Sequence, residues 1–174
     1  MFESKKYSSH DSALLKQIYD ALEEIKLPTV FCSKGKGPNH AEKTGCTRQK
    51  DARQCVFGSV KRHGTVFRTA ITRKNPHIFT LMKKFVLSHK PDFRFTSVQV
   101  NRNCVCKKHI DGSNRGVSLL VGFGPYTHGR TILFLPSGEK RVHIRTRSLI
   151  FDGSKIYHAS EPFRGKRYSL VFFK

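Results

Sequence analysis

The second half of the chain is a succession of short strand patterns, and this feature limits the possible folds more than any other. Runs rich in β-branched and aromatic residues alternate with turn residues. They cover residues 93–100, 117–123, 130–135, 141–144, 148–151 and 167–173. A Pro-Ser-Gly-Glu sequence at 136–139 predicts a hairpin turn between two of them. The pattern favours a sheet of short antiparallel strands.

Two helix patterns precede these strands. The first covers about residues 11–26, and either Ser9 or Asp11 can serve as its cap. The second begins after Asn75, which is its expected cap, and ends before residue 91. Further strand patterns lie between the helices, at 54–60 and 65–72. Helices followed by a run of short strands indicate an α+β domain in which helices brace one sheet of a barrel.

Three residues of the strand-rich half match a metal-ligand pattern. His109 and Asp111 lie two positions apart, and His158 follows a turn much later in the chain. Two imidazoles and one carboxylate can hold Fe(II) by one face and leave the other positions open. Strand patterns accompany all three residues, and strands that converge on one cavity mouth are typical of a double-stranded β-helix, the cupin-like jelly roll. The sequence therefore predicts an iron site in such a barrel.

Arg167 and Ser169 lie at the start of the last strand pattern. A guanidinium group can bind both oxygens of a carboxylate, so Arg167 is the expected anchor for the far carboxylate of a 2-oxoacid. Ser169 shares the strand face of Arg167 by the two-residue period and can add a hydrogen bond. Arg164 and Lys166 are alternative anchors, although their turn positions favour solvent exposure.

The chain is long enough for one domain of 174 residues, and its charge is strongly unbalanced. It has 33 Lys and Arg against 12 Asp and Glu, a net charge of +21. This excess favours a polyanionic partner such as DNA or RNA, with a solvated basic surface as the alternative. A basic, turn-rich segment at 33–53 predicts a long loop suited to clamping a nucleic-acid backbone. We expect this helical and basic part at about 1–92 and the jelly-roll core at about 93–174.

The N-terminus has no apolar run of the kind found in signal peptides, so we expect an intracellular protein, nuclear in a eukaryote. Its five cysteines are then reduced. The spacing of Cys32, Cys46 and Cys55 matches no zinc motif, and Cys104 and Cys106 are only two positions apart. We interpret the cysteines as buried thiols, with a zinc site as the open alternative.

The C-terminal half also resembles a known family. The residues that carry the resemblance are 100–103, 109–118, 122–127, 158 and 165–171. They are similar to Fe(II)/2-oxoglutarate-dependent dioxygenases, and among these to the TET/JBP branch, which oxidises the 5-methyl group of pyrimidines in DNA. The segment 126–130 departs from the paired glycines that are usual there. Its His128 and Arg130 change the charge beside the cavity.

The resemblance implies Fe(II) held by His109, Asp111 and His158, with 2-oxoglutarate as cosubstrate. It implies oxidative decarboxylation to succinate and CO2, coupled to hydroxylation of the methyl group of 5-methylcytosine or thymine. The expected partner is duplex DNA with a flipped base, without membrane contact, and the expected oligomeric state is a monomer. The residues implied to bind the cosubstrate are Arg167, Ser169, Asn101 and Asn103. Those expected to bind substrate are Asn114, Arg48, Lys50, Arg53 and Arg62, with Lys34, Lys36 and Lys61 as further backbone contacts.

Two other functions stay open. One is a 2-oxoglutarate oxygenase that acts on a protein residue or on RNA. The other is a non-catalytic nucleic-acid-binding module that has kept the jelly-roll shape. A binding module has no physical need for all four of His109, Asp111, His158 and Arg167, which argues against the second.

Overall fold

The computed structural model describes residues 2–28, 46–47, 51–111 and 116–174. Within these residues, helices pack on a large sheet that faces a smaller one. The helices are α1 Ser9–Glu23, α2 Ala70–Lys74 and α3 Pro76–His89. The strands are β1 Phe2–Lys6, β2 Cys46–Thr47, β3 Arg53–Arg62, β4 Thr65–Arg68, β5 Ser97–Arg102, β6 Val105–Cys106, β7 Ser118–Phe123, β8 Tyr126–His128, β9 Thr131–Leu135, β10 Gly138–Val142, β11 Arg147–Phe151, β12 Tyr157–Ser160, β13 Phe163–Gly165 and β14 Tyr168–Phe173.

The large sheet has seven strands in the order β1-β11-β7-β14-β5-β3-β4, all paired antiparallel. The small sheet has the order β10-β9-β12, and the pairs β13-β8 and β2-β6 complete the described strands. This arrangement confirms the predicted α+β class, in which helices brace one sheet of an antiparallel β-structure.

The N-terminal part of the chain contributes strands to the large sheet. β1 pairs with β11 and β3 pairs with β5, both strands of the C-terminal half, while β4 pairs with β3. β1 carries the sequence Phe-Glu-Ser-Lys-Lys, which lacks the alternation of a half-buried strand. It is an edge strand paired with β11, so it needs little apolar surface.

The helices cover one face of the large sheet because each carries an apolar stripe at helical spacing. In α1 this stripe includes Leu14, Ile18 and Leu22, and in α3 it includes Met82 and Phe85, all of them buried. They pack against the sheet side chains of a single core. No helix among the described residues is long and apolar enough to cross a bilayer.

α1 begins earlier than the periodicity predicts, because its cap is Ser8 rather than Ser9 or Asp11. The Ser8 hydroxyl accepts a hydrogen bond from the Asp11 amide at 3.0 Å. The Asp11 carboxylate in turn accepts from the Ser8 amide at 2.9 Å. This reciprocal capping box fixes the first turn and places Ser9 inside the helix.

The strand expected over 65–72 is wrong in its second half, where the chain forms α2. Thr69 caps that helix by accepting from the Thr72 amide at 3.4 Å. The Thr72 hydroxyl accepts from the Gly58 amide at 2.7 Å, which ties the helix to β3. Side-chain bonds to the backbone therefore override the strand preference of a β-branched run.

A second core fills the space between the two sheets. Its buried members come from β7, β9, β10, β11 and the segment after β10. The ring of Phe151, on β11, lies edge-on to the ring of His158 at 4.9 Å between centroids. The expected iron site is therefore adjacent to the inter-sheet core. The members of that core are Leu120, Leu133, Val142, Ile144, Leu149 and Phe151.

Candidate metal centre

Backbone hydrogen bonds bring the three expected ligands together. His109 and His158 form an isolated antiparallel bridge, in which each amide donates to the other carbonyl at 3.0 and 2.9 Å. The Asp111 amide donates to the Gly153 carbonyl at 2.8 Å. The segment 109–111 is thus clamped along the turn and strand that carry His158.

The ligand atoms of this cluster face a common point. The Nε2 atom of His109 lies 3.5 Å from Asp111 Oδ1, and that of His158 lies 3.8 Å from Asp111 Oδ2. One ligand atom from each residue falls within 4.8 Å of the others. Among the described residues, these three form the group of metal-ligating side chains close enough to share an ion.

The same nitrogen of each histidine is directed at the metal position. Nδ1 of His109 lies 2.7 Å from the carbonyl of Lys107, and Nδ1 of His158 lies 3.0 Å from the carbonyl of Ile156. A carbonyl oxygen can only accept, so Nδ1 carries the proton in both rings. Nε2 is therefore the nitrogen with a lone pair for a metal ion, and the carbonyls hold both rings in that tautomer.

The environment of His158 favours its ligand form. Burial lowers the pKa of His158, while the hydrogen bond to Ile156 and the charge of Asp111 raise it and His109 lowers it again. The net pKa lies below the ordinary histidine value, so the ring is neutral at neutral pH. Two imidazoles and one carboxylate that face a common point fit Fe(II), with other positions left for further ligands.

Gly153 allows the carboxylate to occupy its position. A Cβ atom at residue 153 would lie 2.7 Å from Asp111 Oδ2. Any other residue at this turn would therefore push the Asp111 carboxylate away from the histidines. The position of the Asp111 carboxylate therefore depends on glycine at this turn.

Arg167, the expected cosubstrate anchor, is buried. Its side chain is 3% exposed, and the guanidinium lies 5.6 Å from the rings of Tyr126 and Phe163. Asn103 has a positive φ of 53° and holds the Arg167 backbone, since the Arg167 amide donates to Asn103 Oδ1 at 3.0 Å. Asn103 thus positions Arg167 through the backbone.

Two buried donors near Arg167 lack ordinary hydrogen bonds. The Tyr126 hydroxyl and Arg167 Nε make no hydrogen bond of ordinary geometry among the described residues, although the hydroxyl lies close enough to the Arg167 side chain to interact with it. Burial raises the pKa of Tyr126, although the Arg167 and Arg145 charges oppose this, so the hydroxyl keeps its proton. A buried donor without a partner is costly, and an anion such as a carboxylate would satisfy both groups.

The close packing around the Tyr126 hydroxyl depends on Gly122. A Cβ atom there would lie 2.7 Å from the Ile144 side chain and 2.8 Å from the Tyr126 hydroxyl. Gly122 is also the register partner of Ser169 on β14. Glycine at this position therefore lets the Tyr126 hydroxyl and the Ile144 side chain pack directly against β7.

No family model and no curated protein matches the sequence. Solved structures do match. An oxidoreductase of the 2OG-Fe(II) oxygenase family from Burkholderia pseudomallei aligns with a TM-score of 0.58 and 17% identity, over 96% of this chain and 78% of that chain. The chain has the fold of the 2OG-Fe(II) oxygenases.

Two further structures show the breadth of this oxygenase fold. A prolyl hydroxylase from Trichoplax adhaerens, in complex with a hypoxia inducible factor peptide fragment, aligns with a TM-score of 0.56 and 16% identity, over 99% of this chain and 83% of that chain. NgTET1 in complex with 5mC DNA aligns with a TM-score of 0.51 and 18% identity, over 72% of this chain and 61% of that chain. The predicted jelly roll is confirmed, and this fold is shared by proteins with different substrates.

Asn101 and Ser169 lie opposite each other on one face of the large sheet. Asn101 Nδ2 is 3.5 Å from Ser169 Oγ, and Asn101 Oδ1 accepts from Gln54 Nε2 at 3.0 Å. Gln54 and Tyr126 were not predicted as site residues. Their positions depend on pairing between distant strands, which leaves no local signal in the sequence.

The structure does not bring Arg53 to the metal centre. Arg53 lies opposite Arg102 in the β3–β5 register, and Arg102 lies opposite Tyr168. Residues opposite one another project to the same face, and Tyr168 packs in the helix-side core. Arg53 is therefore on the face away from Asn101 and Ser169.

The other expected substrate contacts have different positions. Arg62 ends β3, and eight residues at ~3.4 Å each place it roughly 27 Å along the strand from Gln54. Lys61 is exposed next to it. The remaining expected contacts lie outside the described residues: Asn114, Arg48, Lys50, Lys34 and Lys36.

The alternative anchors and the zinc hypothesis can also be compared with the structure. Arg164 is exposed on β13, and Lys166 forms an ion pair with Glu23, so Arg167 is the buried cation of the three. Cys55 packs against the helix-side core, and burial raises the pKa of its thiol to about 12. A zinc ligand is a thiolate, so the environment of Cys55 disfavours that role.

Proposed function

We propose that the chain is an Fe(II)/2-oxoglutarate-dependent dioxygenase that hydroxylates the methyl group of a 5-methylpyrimidine in DNA. The observation that carries the oxygenase proposal is the convergence of His109, Asp111 and His158, and Arg167 is a buried cation that suits an anionic cosubstrate. Each of these groups has a chemical task in this reaction, and the fold is that of 2OG-Fe(II) oxygenases.

The residues divide the work of the reaction. The two histidines and Asp111 hold Fe(II), and the bound ion supplies the oxidising chemistry that couples decarboxylation of 2-oxoglutarate to hydroxylation of a C–H bond. Arg167 binds the far carboxylate of 2-oxoglutarate, and the Tyr126 hydroxyl donates to it. The buried apolar wall that includes Leu133 and Ile144 excludes water from this end of the cavity.

Basic residues beside the metal centre support a nucleic-acid substrate. Lys107 and Lys108 directly precede His109 and are exposed, and Lys155 is exposed in the turn before His158. The Lys108 ammonium lies 4.2 Å from the Phe134 ring. Phosphates on either side of a flipped base would find cations close to the ligands. The resemblance over 109–118 favours DNA and a 5-methylpyrimidine.

A protein substrate is the second candidate, and a specific observation favours it. The prolyl hydroxylase in complex with a peptide fragment aligns over 99% of this chain, against 72% for NgTET1. The exposed Lys107, Lys108 and Lys155 would also attract an acidic peptide. RNA is a third candidate substrate, because the positive charge of the chain attracts the phosphates of RNA and DNA alike.

Measurement of succinate release tests both parts of the proposal, the oxygenase reaction and the DNA substrate. The full chain is incubated with Fe(II), 2-oxoglutarate and oxygen, together with duplex DNA containing 5-methylcytosine, the same duplex containing cytosine, a thymine-only duplex, single-stranded RNA or an acidic proline-containing peptide. Mass spectrometry of the digested products identifies the hydroxylated group. Asp111→Ala is the inactive variant, and Asp20→Ala, which removes an exposed carboxylate on α1, is its matched control.

The outcomes separate the reaction from the substrate. Stimulated turnover with a hydroxymethyl base supports the full proposal. Turnover stimulated by the peptide, with a hydroxylated residue, keeps the oxygenase and replaces DNA by protein. Full activity of Asp111→Ala would contradict the assigned metal centre.

A further inference from the structure

Two cysteines lie opposite each other next to the metal centre. β2 pairs antiparallel with β6, and the register places Cys46 opposite Cys106. Directly opposed residues in antiparallel strands have Cα atoms about 4.5 or 5.5 Å apart, according to the type of pair. Disulfides span Cα separations of about 4.4–6.8 Å. The backbone register therefore suits a cross-strand disulfide whichever type of pair this is.

The position of Cys106 ties this pair to the iron site. Cys106 lies three positions before His109 and is half-buried. Its amide donates to Ser160 Oγ at 2.7 Å, which fastens β6 to the strand that carries His158. A disulfide at Cys106 would therefore constrain β6, which precedes His109 in the chain and is hydrogen-bonded to the strand that carries His158.

The other described cysteines are poor competitors for oxidation. Cys104 is buried, and its Sγ lies 3.4 Å from the Arg102 carbonyl and 3.7 Å from the Arg53 carbonyl. Carbonyl acceptors hold the thiol proton and disfavour the reactive thiolate. The raised pKa of Cys55, about 12, has the same effect through burial. Among the described residues, the backbone register therefore favours the Cys46–Cys106 pair.

We propose that Cys46 and Cys106 form a reversible disulfide when the protein meets hydrogen peroxide. One thiolate attacks a peroxide oxygen, the O–O bond breaks, and a sulfenic acid forms, while the departing hydroxide takes up the proton that the thiol released and becomes the first water. The second thiolate attacks that sulfur, the S–S bond forms, and hydroxide leaves and takes up a proton as the second water. The two sulfurs together lose two electrons, and the peroxide gains them. A dithiol reductant reverses the bond.

The disulfide fastens β2 to the strand that leads into His109. In sequence, β2 directly precedes the basic residues Arg48 and Lys50. Oxidation therefore joins this basic part of the chain covalently to the metal-binding part, across a closed loop from residue 46 to residue 106. The inference does not depend on the identity of the oxidised substrate.

Peptide mapping of the folded full-length protein tests the pair. The protein is treated with a small excess of hydrogen peroxide, blocked with iodoacetamide and digested without reductant. We expect a peptide that links Cys46 to Cys106, which disappears after dithiothreitol. Cys104→Ser and Cys55→Ser should keep this link, because neither residue takes part, and Cys106→Ser should abolish it.

Two outcomes would overturn the inference. A link from Cys46 to Cys104 would show that the register is different. Sulfinic acid at Cys106 without any link would show that Cys46 is out of reach. A link that persists at the same yield in Cys104→Ser, and vanishes only in Cys106→Ser, supports the pair even if the variants differ in stability.

Discussion

The position of the Asp111 carboxylate depends on the absence of a side chain at residue 153. Gly153→Ala would place a methyl group 2.7 Å from Asp111 Oδ2, and the flexible carboxylate would move to relieve the contact. Because displaced ligands and their supports typically weaken metal binding about 10–100-fold, we expect a loss in that range. Titration of the protein with Fe(II) under anaerobic conditions measures it.

Lys155→Ala is the matched control for this glycine substitution. Lys155 lies in the same turn, but its side chain points to solvent and pairs only with Asp152. Its metal affinity should stay close to that of the unaltered protein. An unchanged affinity in Gly153→Ala would mean that Asp111 is not a ligand.

The Tyr126 hydroxyl gives a second prediction at the scale of a residue. Tyr126→Phe removes a buried donor that makes no hydrogen bond of ordinary geometry among the described residues, so it should not disturb the fold. A hydrogen bond to a charged group is worth about 1.5–3 kcal/mol, which corresponds to a roughly 10–100-fold rise in the KM for 2-oxoglutarate. The rate at saturating 2-oxoglutarate should change little.

Tyr157→Phe is the comparison for this variant, since its hydroxyl is on an exposed ring of the small sheet. It should leave the KM for 2-oxoglutarate unaltered. Equal effects of the two substitutions on the KM would show that the Tyr126 hydroxyl does not bind 2-oxoglutarate.

Residue types predicted which ligand candidates would lie together better than they predicted their surroundings. His109, Asp111 and His158 are visible in the sequence because few side chains bind metals, and the structure brings them together. Asn103 stays a predicted cosubstrate residue, and no sequence pattern indicates that its side-chain oxygen accepts from the Arg167 amide. Tyr126 faces Arg167 only because β8 pairs with β13, and that pairing follows from tertiary structure.

At the scale of elements, a buried polar cluster joins two helices to the large sheet. Asp11 Oδ2 of α1 lies 2.9 Å from His89 Nδ1 at the end of α3. His89 Nε2 lies 2.7 Å from the Ser148 hydroxyl on β11. All three are buried, so the cluster fixes the helices relative to the sheet as well as stabilising them.

Asp11→Asn removes the charge at the centre of this cluster. We expect the free energy of unfolding at pH 7 to fall by roughly 1–3 kcal/mol, since hydrogen bonds to a buried charged group are lost. Asp20→Asn, on the exposed side of the same helix, should change it by less than about 0.5 kcal/mol. Urea unfolding measures both. Equal losses would place the stabilisation elsewhere.

The effect of Asp11 should also depend on pH. Burial raises the pKa of Asp11, but hydrogen bonds from the Ser8 backbone, His89 and the Ser8 hydroxyl, with the His89 charge, lower it below its ordinary value. The stabilisation is therefore complete above the unfolded pKa of about 3.9 and is lost as the pH falls through the lower folded value. The difference between the protein and Asp11→Asn should be constant at higher pH and shrink in that acidic range.

Element prediction succeeded where one pattern dominated. The apolar stripes of α1 and α3 and the strands near the C-terminus are visible because burial repeats with a fixed period. β1 was missed because an edge strand needs no such repeat, and α2 was missed because threonine bonds to the backbone decide its start.

At the scale of the whole molecule, the net charge of +21 should control DNA binding. Each phosphate neutralised contributes about −0.9 to the slope of log affinity against log salt. Replacing both Lys107 and Lys108 by Ala should therefore flatten the slope by about 2 units. Fluorescence anisotropy with a short duplex at several salt concentrations measures it.

Lys90→Ala is the control, because Lys90 pairs with Glu3 away from the metal centre. Its salt dependence should match that of the unaltered protein. A flat slope for the unaltered protein would show that the charge serves another purpose.

The mutual backbone bridge between His109 and His158 has a consequence for how the protein is assembled in a cell. Backbone hydrogen bonds within the barrel align both histidines, so the ligand side chains are in position once the chain has folded. On the proposed assignment, removal of the ion should leave the barrel folded. A cell could then keep the folded protein without iron and load it when the supply returns.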